Sequence, residues 1–208
     1  VLGLASYTDG TVSATTNAQT IGGSGVYRNL AAAPTANLTS LTVNNTNATG
    51  VTLSVPLSVS GTLTMTSGII NTTTTNLLTL GTATAAGILA GTPSATSMVR
   101  GPFARTISNG NANTNYLLFP VGKVAYAPIW AAPATTAATV MKAETFDTNT
   151  GTQSAAITNM ATNRRWELPL VSGTITDINV RVGDAGILAT SIPVQAPSAS
   201  AEYTSAFG

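Results

Sequence analysis

The segment from Asn29 to Val99 contains no Asp, Glu, Lys, Arg or His in 71 residues, and Thr, Ser, Asn, Gly, Ala, Leu and Val make up most of it. Between Thr39 and Thr84, larger aliphatic residues alternate with Thr or Ser. This is the period of an extended strand, whose successive side chains point to opposite faces. Thr is β-branched and suits a pleated surface, while its hydroxyl keeps the outer face hydrated. The segment therefore predicts a β-sheet surface without charge.

The alternation assigns the residues of each predicted strand to one of two faces. The inward face is predicted to carry Leu41, Val43, Val51, Leu53, Val55, Leu57, Val59, Leu63, Met65, Leu78 and Leu80. The outward face is predicted to carry Thr42, Thr52, Ser54, Ser58, Thr62, Thr64, Thr66 and Thr79. The first set supplies a core, and the second supplies a hydroxyl surface.

Two arrangements of these strands remain open from the sequence alone. The inward aliphatics recur loosely at about 16 to 20 residues, which is near the length of one coil of a β-solenoid. Ladders of Asn and Thr are compatible with stacked coils. The tight hairpin dipeptide Asn-Gly occurs only at Asn109-Gly110, outside this segment. The alternative is a sandwich of short antiparallel strands, so an all-β fold is predicted in either case.

The composition changes near residue 97 and predicts two domains. Residues 1–96 form a Thr/Asn-rich β region, uncharged from Asn29 onward, that begins with Gly-rich strands. Residues 97–208 hold nearly all the charge and both tryptophans. Their short apolar runs, separated by Pro and Gly, are typical of an antiparallel β-sandwich.

Composition also excludes most reactive chemistry. Charged residues are 7% of the chain, against about 25% in an average protein, and the formal net charge is +1. There is no His and no Cys, which removes Ser-His-Asp and Cys-His catalysis and most transition-metal sites. We therefore predict no enzyme activity, no catalytic, cofactor-binding or metal-binding residues, and no nucleic-acid partner. The longest apolar runs are far short of the roughly 20 residues that cross a bilayer.

The motif from Val99 to Arg105 is predicted to be two strands that meet at a bend, because Gly101-Pro102 interrupts it. Its two arginines, Arg100 and Arg105, are expected to project to one side. There they would meet carboxylates, for which the candidates are Glu144, Asp147 and Glu167.

Two further motifs make structural predictions. Pro120, within Phe119–Lys123, indicates an edge strand or a bulge because proline cannot donate to a ladder. Alternation around Trp166 places Arg165 and Glu167 on one face of a strand and the indole on the other, so Trp166 is predicted to be a core residue.

Three sharper readings of the polar residues were weighed against structural roles. Glycoside hydrolysis needs two carboxylates about 5 to 10 Å apart, but the spacing of the seven acids does not favour such a pair. Asp147–Gly151 has the outline of a calcium loop with a single carboxylate and no distal Glu. Trp130, Tyr116 and Tyr126 are candidates for a flat sugar-stacking platform.

Five strings in order resemble one family. They are SGIINTTTTNLLTLG, SMVRGPFARTI, NYLLFPVGK followed by Tyr126 and Pro128, RRWEL, and INVRV. Together they are similar to the surface and adhesin-like modules of Bacteroidota over roughly residues 57–182. The resemblance implies an extracellular, non-enzymatic module from long proteins that cross the outer membrane, often by the type 9 pathway.

These observations predict a structural or adhesive protein of the bacterial cell surface, a module or subunit of an extracellular fibre or filament. Its expected partners are copies of itself or neighbouring modules of the same kind, with surface glycans as a further class. A composition rich in Thr, Asn, Ser and Gly is typical of secreted surfaces. The alternative is a carbohydrate-binding module attached to a secreted enzyme.

Our first prediction is that a hydrolase screen over glycans, esters and peptides finds no turnover, because the chain lacks His and Cys and shows no paired-acid spacing. Turnover that is abolished by Glu144→Ala, Asp147→Ala or Glu167→Ala would contradict it. Each variant is compared with wild type at equal folded concentration, so that lost stability is not mistaken for lost activity.

Overall fold

The computed structural model describes residues 2–3, 18–24, 27–29, 36–157, 160–184, 194–197, 200–203 and 205–206. Over these residues the protein is all-β, with 56% strand and no helix, and it contains a β-solenoid of about four turns together with other sheets. The predicted all-β fold is confirmed. Of the two arrangements left open for the uncharged segment, the solenoid is the one adopted.

The strands are mostly short. The first thirteen are β1 (Leu2–Gly3), β2 (Ala18–Gly23), β3 (Tyr27–Asn29), β4 (Ala36–Asn45), β5 (Val51–Leu53), β6 (Leu57–Ser67), β7 (Ile70–Asn71), β8 (Leu78–Leu80), β9 (Ile88–Gly91), β10 (Val99–Arg100), β11 (Phe103–Ile107), β12 (Leu117–Phe119) and β13 (Val121–Gly122). The others are β14 (Ile129–Thr135), β15 (Thr139–Phe146), β16 (Thr152–Gln153), β17 (Arg165–Glu167), β18 (Leu170–Ser172), β19 (Ile175–Val182), β20 (Val194–Gln195), β21 (Glu202–Tyr203) and β22 (Ser205–Ala206).

Two parallel stacks of strands form the solenoid, and the chain passes from one to the other in every coil. The first stack, which we call the long sheet, has the order β1-β2-β4-β6-β8-β11-β15-β17, with β9 also paired to β6 and β18 to β15. The second, the short sheet, has the order β13-β10-β7-β5-β3. Pairing is parallel from β1 to β11 in the long sheet and throughout the short sheet.

The coils are longer than the sequence suggested. Leu41 pairs with Leu63, and Leu63 with Leu89, so that successive coils are 22 and 26 residues long at this point. The expected repeat of 16 to 20 residues was too short because it matched Leu41 to Leu57, which is the start of the next long strand. The strands β4 and β6 have 10 and 11 residues, and each coil adds a short strand and two turns.

The predicted inward face is the core. Ten of its eleven residues are buried, and the exception, Val55, is half-buried because it follows the end of β5. The outward residues are half-buried or exposed, as predicted. Full burial of one Val, Leu or Ile side chain contributes roughly 1.5 to 3 kcal/mol, so the rows of stacked aliphatics are the main stabilising element of the solenoid.

Side chains at the corners of the coils bond to the neighbouring coil. Asn47 Nδ2 donates to Ser24 O at 2.7 Å, and Asn71 Nδ2 donates to Thr49 O at 2.6 Å. The buried hydroxyl of Thr72 donates to Pro102 O at 2.7 Å. These bonds satisfy carbonyls at the turns, where the strand ladders stop, which a buried backbone requires.

Two corners need glycine because the coils approach too closely for a side chain. Gly68 has φ +104°, and a Cβ there would lie 2.3 Å from Asn45 O in the preceding coil. Gly91 has φ +89°, and a Cβ there would lie 2.2 Å from Met65 O. Both combine a left-handed backbone with direct contact between coils.

The second half of the chain changes to antiparallel pairing. Strand β15 pairs antiparallel with β11, β17 and β18, and a separate antiparallel sheet has the order β12-β14-β19. One hydrophobic cluster runs from Ile21 in the first part to Met141 and Ala143 in the second. The parallel stack crosses position 96/97 through β10 and β11, and the division into domains at that position stays a prediction.

Two motif predictions are confirmed here. Gly101-Pro102 separates β10 from β11, as the bend requires. Pro120 lies between β12 and β13, which are edge strands of their sheets among the described residues. Its carbonyl accepts a 2.8 Å bond from Val99 N, so proline stands where only an acceptor is needed.

The part of the chain covered by the structure contains no helix of the length and apolarity needed to cross a bilayer.

We predict that Leu63→Ala lowers the free energy of unfolding by about 2 to 5 kcal/mol, because Leu63 is fully buried between the two sheets. The matched control is Thr66→Ala in the same strand, at an exposed position, which is expected to change it by less than about 1 kcal/mol. Urea unfolding of both variants measures the difference. Equal effects would contradict the assignment of faces in β6.

Candidate functional site

Charged side chains collect near the ends of β13, β15, β17 and β19. We call this group the ion-pair cluster. Its members are Lys123, Glu144, Asp147, Arg164, Arg165, Glu167 and Asp184.

Two acids of the cluster lie directly opposite each other on neighbouring strands. Glu144 in β15 is in register with Glu167 in β17. Like charges at opposite positions are destabilising, but each acid has its own cation. Lys123 Nζ lies 2.7 Å from Glu144 Oε1, and Arg165 Nε donates to Glu167 Oε1 at 3.1 Å. Sequence spacing did not show that these two carboxylates are neighbours.

Arg164 holds two further acids. It forms an ion pair with Asp147, and its Nε donates to Asp184 Oδ2 at 2.5 Å. The other oxygen of Asp147 accepts a 3.1 Å bond from Val124 N. Both oxygens of Asp147 therefore have donors within the protein.

The outlined calcium loop is organised by internal hydrogen bonds. Asn149 Oδ1 accepts bonds at 3.2 Å from Gly151 N and from the hydroxyl of Tyr203. No group of three or more acidic residues in the described part of the chain is placed to hold a metal ion. The loop thus uses its oxygens to position its own backbone.

Phe146 lies between two cations of the cluster. The guanidinium carbon of Arg165 is 3.8 Å from the centre of the ring, and Lys123 Nζ is 5.3 Å from it. Such cation–π contacts contribute roughly 0.5 to 2 kcal/mol each. They fix the cations whose partners are Glu144 and Glu167, so this part of the cluster is a structural unit.

The expectation that Arg100 and Arg105 meet these carboxylates is wrong. Arg100 Nε donates to the carbonyl of Lys123 at 3.2 Å. Arg105 is buried, and its Nη1 and Nη2 donate to Leu118 O at 2.8 Å and Gly87 O at 3.4 Å. The alternation explains the result: Arg105 shares a face of β11 with Phe103 and therefore points inward.

Arg105 lies at a cleft of about 230 Å³ between β9 and β12. The cleft is lined by Leu89, Gly91, Pro93, Arg105, Tyr116, Leu117 and Leu118. Burial lowers the pKa of Arg105 to about 10, because a desolvated cation is disfavoured. The described residues place a cation at this cleft, and no acid is among those that line it.

The three aromatic residues considered for a sugar platform have separate surroundings. The guanidinium carbon of Arg181 lies 3.8 Å from the centre of the Tyr116 ring and covers one face of it. Trp130 belongs to β14 and is half-buried. Tyr126 lies in the turn before β14 and is half-buried, which raises its pKa to about 12.

Trp166 packs against the core from a half-buried position. Its Nε1 donates to Ala127 O at 3.0 Å, which is the partner a partly buried indole needs. The prediction of a core-facing Trp166 is confirmed, although its burial is incomplete.

Comparison of the chain with protein-family models, curated proteins and solved structures found no match. The resemblance to Bacteroidota surface modules therefore stays a prediction, carried by the five motifs alone.

The cleft is the feature that sequence reasoning missed. Its two walls come from residues 89–93 and 116–118, which no local pattern connects. One signal was available, because Phe103-Ala104-Arg105-Thr106-Ile107 places a cation in the middle of an apolar strand. Buried charges are rare without a partner, and that strand is buried at every position.

We predict that Tyr126 ionises at about pH 12 in the folded protein, against about 10 for an exposed tyrosine. Because the folded state holds this proton more tightly, the associated stability is complete below pH 10 and is lost as the pH rises towards 12. Phenolate absorbance of wild type minus that of Tyr126→Phe isolates the group. A difference curve centred near pH 10 would contradict the prediction.

Proposed function

We propose that this chain is a non-enzymatic structural or adhesive protein of the bacterial cell surface, a module or subunit of an extracellular fibre or filament. The observation that supports it most is the outer face of the long sheet. There, the hydroxyl residues of successive coils stand in register over a surface without charge.

This face carries a column of threonines. Thr20 pairs with Thr42, and Thr42 with Thr64, on three successive strands, and Ala90 follows in β9. Beside the column, Thr62 is in register with Ile88, whose side chain is 64% exposed. An uncharged pleated face with an exposed aliphatic residue has no repulsion against a second copy, whereas natural β-proteins usually place charges where association is to be avoided.

The strand edges in this zone are largely occupied within the chain. β4 is paired to β2 and β6, and β6 to β4, β8 and β9. Association through the edges of β4 or β6 would require these pairs to separate. We therefore assign the proposed contacts to the outer faces of the coils and to the ends of the stack.

The extracellular location rests on the composition and on the motifs shared with Bacteroidota surface modules. Thr, Ser and Asn keep such a surface hydrated without charge. A parallel stack also suits a load-bearing module, because each coil is bonded along its length to the next.

The test is a double variant, Thr52→Lys with Thr64→Lys, which places one charge on the outer face of each solenoid sheet. We expect fewer multimers or filaments, measured by analytical ultracentrifugation and electron microscopy, because like charges then face each other between copies. The matched control is Thr136→Lys with Ser172→Lys, which adds the same charge at exposed positions outside the zone.

Assembly at unchanged yield by a folded double variant would contradict the proposal, as would loss of assembly in the control alone. A glycan array provides the second comparison. Reproducible binding of the isolated chain to one defined sugar would favour a carbohydrate-binding module, whereas the structural role predicts no reproducible binding.

A further inference from the structure

Arg105 is a buried cation that lacks a carboxylate partner among the described residues. Its side chain is 5% exposed, and its two bonds go to carbonyl oxygens of Gly87 and Leu118. The Nε–H has no hydrogen-bond partner among the described residues. Burying a charge is costly unless it is paired, and two neutral carbonyls compensate only part of that cost.

The space beside this guanidinium is a small and largely apolar cleft. One wall is formed by Leu89, Gly91 and Pro93 and the other by Tyr116, Leu117 and Leu118. Its volume of about 230 Å³ is below the roughly 300 to 1,000 Å³ of sites for drug-sized molecules. The cleft thus suits a small group that is apolar apart from one anionic end.

Both walls end in strand edges. Among the described strands, β9 has a ladder partner only in β6, and β12 has one only in β14. The sides of β9 and β12 away from these partners carry backbone groups suited to a further strand, and an extended peptide can add to such an edge. This favours a ligand with a polypeptide backbone over a free small acid.

A second cation lies near the cleft. The Arg181 guanidinium stacks on Tyr116, which lines the wall formed with β12. The opposite wall comes from the uncharged segment, so nothing in that wall repels an anion. The local charge is positive, although the whole chain carries only +1.

We propose that the cleft between β9 and β12 binds the terminal carboxylate of an extended peptide, with the Arg105 guanidinium as its ion partner. A guanidinium offers donors in a fixed planar fork that matches a carboxylate, and the free Nε–H is one of them. The apolar walls contact the last side chain of the peptide. This binding site is independent of self-association and goes beyond the proposed structural role.

The experiment titrates the folded chain with three probes: acetyl-Ala-Val-Leu with a free carboxylate, the same peptide as its C-terminal amide, and acetate alone. The readouts are the Nε–H resonance of Arg105 by NMR and the dissociation constant by calorimetry. We expect saturable binding of the acid with a shift of that resonance. The amide is expected to bind at least about tenfold more weakly, because a hydrogen bond to a charged group is lost.

Two variants localise the effect. Arg105→Met keeps most of the side-chain volume and is expected to abolish binding of the acid. Arg100→Met, in the strand before it, removes an arginine outside the cleft and is expected to leave the dissociation constant unchanged. Melting curves establish that both are folded, and the wild-type titration with acid and amide tests the proposal even if Arg105→Met does not fold.

Three results would overturn the proposal. The first is no saturable shift of the Arg105 resonance up to about 10 mM peptide, ten times a millimolar dissociation constant. The second is equal binding of acid and amide, or binding that persists in folded Arg105→Met. The third is acetate that binds as tightly as the peptide, which would assign the site to small carboxylates and refute the peptide ligand.

Discussion

The fold depends on stacking one row of aliphatic side chains from each coil on the row from the coil before. Val43, Met65 and Leu63 have no exposed surface, because the long sheet and the short sheet close over them. A solenoid coil cannot bury its apolar face alone, so each coil is stable only on its neighbour. The parallel ladders, the corner asparagines and the corner glycines all serve to hold successive coils at the distance that this contact requires.

Local pattern was sufficient for the strands and their faces, but not for the way they pair. Period-two alternation identified the inward side of β4, β5, β6 and β8 because sidedness is a property of each strand by itself. Coil length was misjudged because the register of Leu41 with Leu63 depends on turns whose lengths vary. The partners of Arg105 were misjudged for a related reason. Its direction follows from β11, but its environment is supplied by residues 87 and 118, which only the fold brings near.

The charged residues are separated by function within one short region. Lys123, Arg164 and Arg165 neutralise acids at the ends of strands, where solvent reduces the cost of each charge. Arg105 lies deeper and has only carbonyl partners. A protein with so few charges has placed one of them where it is least well solvated, and this contrast distinguishes the cleft from the ion-pair cluster.

The in-register columns of the long sheet also constrain how such a protein can vary in length. Removal of one residue from the middle of β6 would turn every later side chain of that strand to the opposite face, bringing Thr inside and Leu outside. Insertion of an entire coil would preserve both faces and add one more layer to the core. Length differences within the solenoid of related chains should therefore come in whole coils, and single-residue insertions should be confined to the turns between strands.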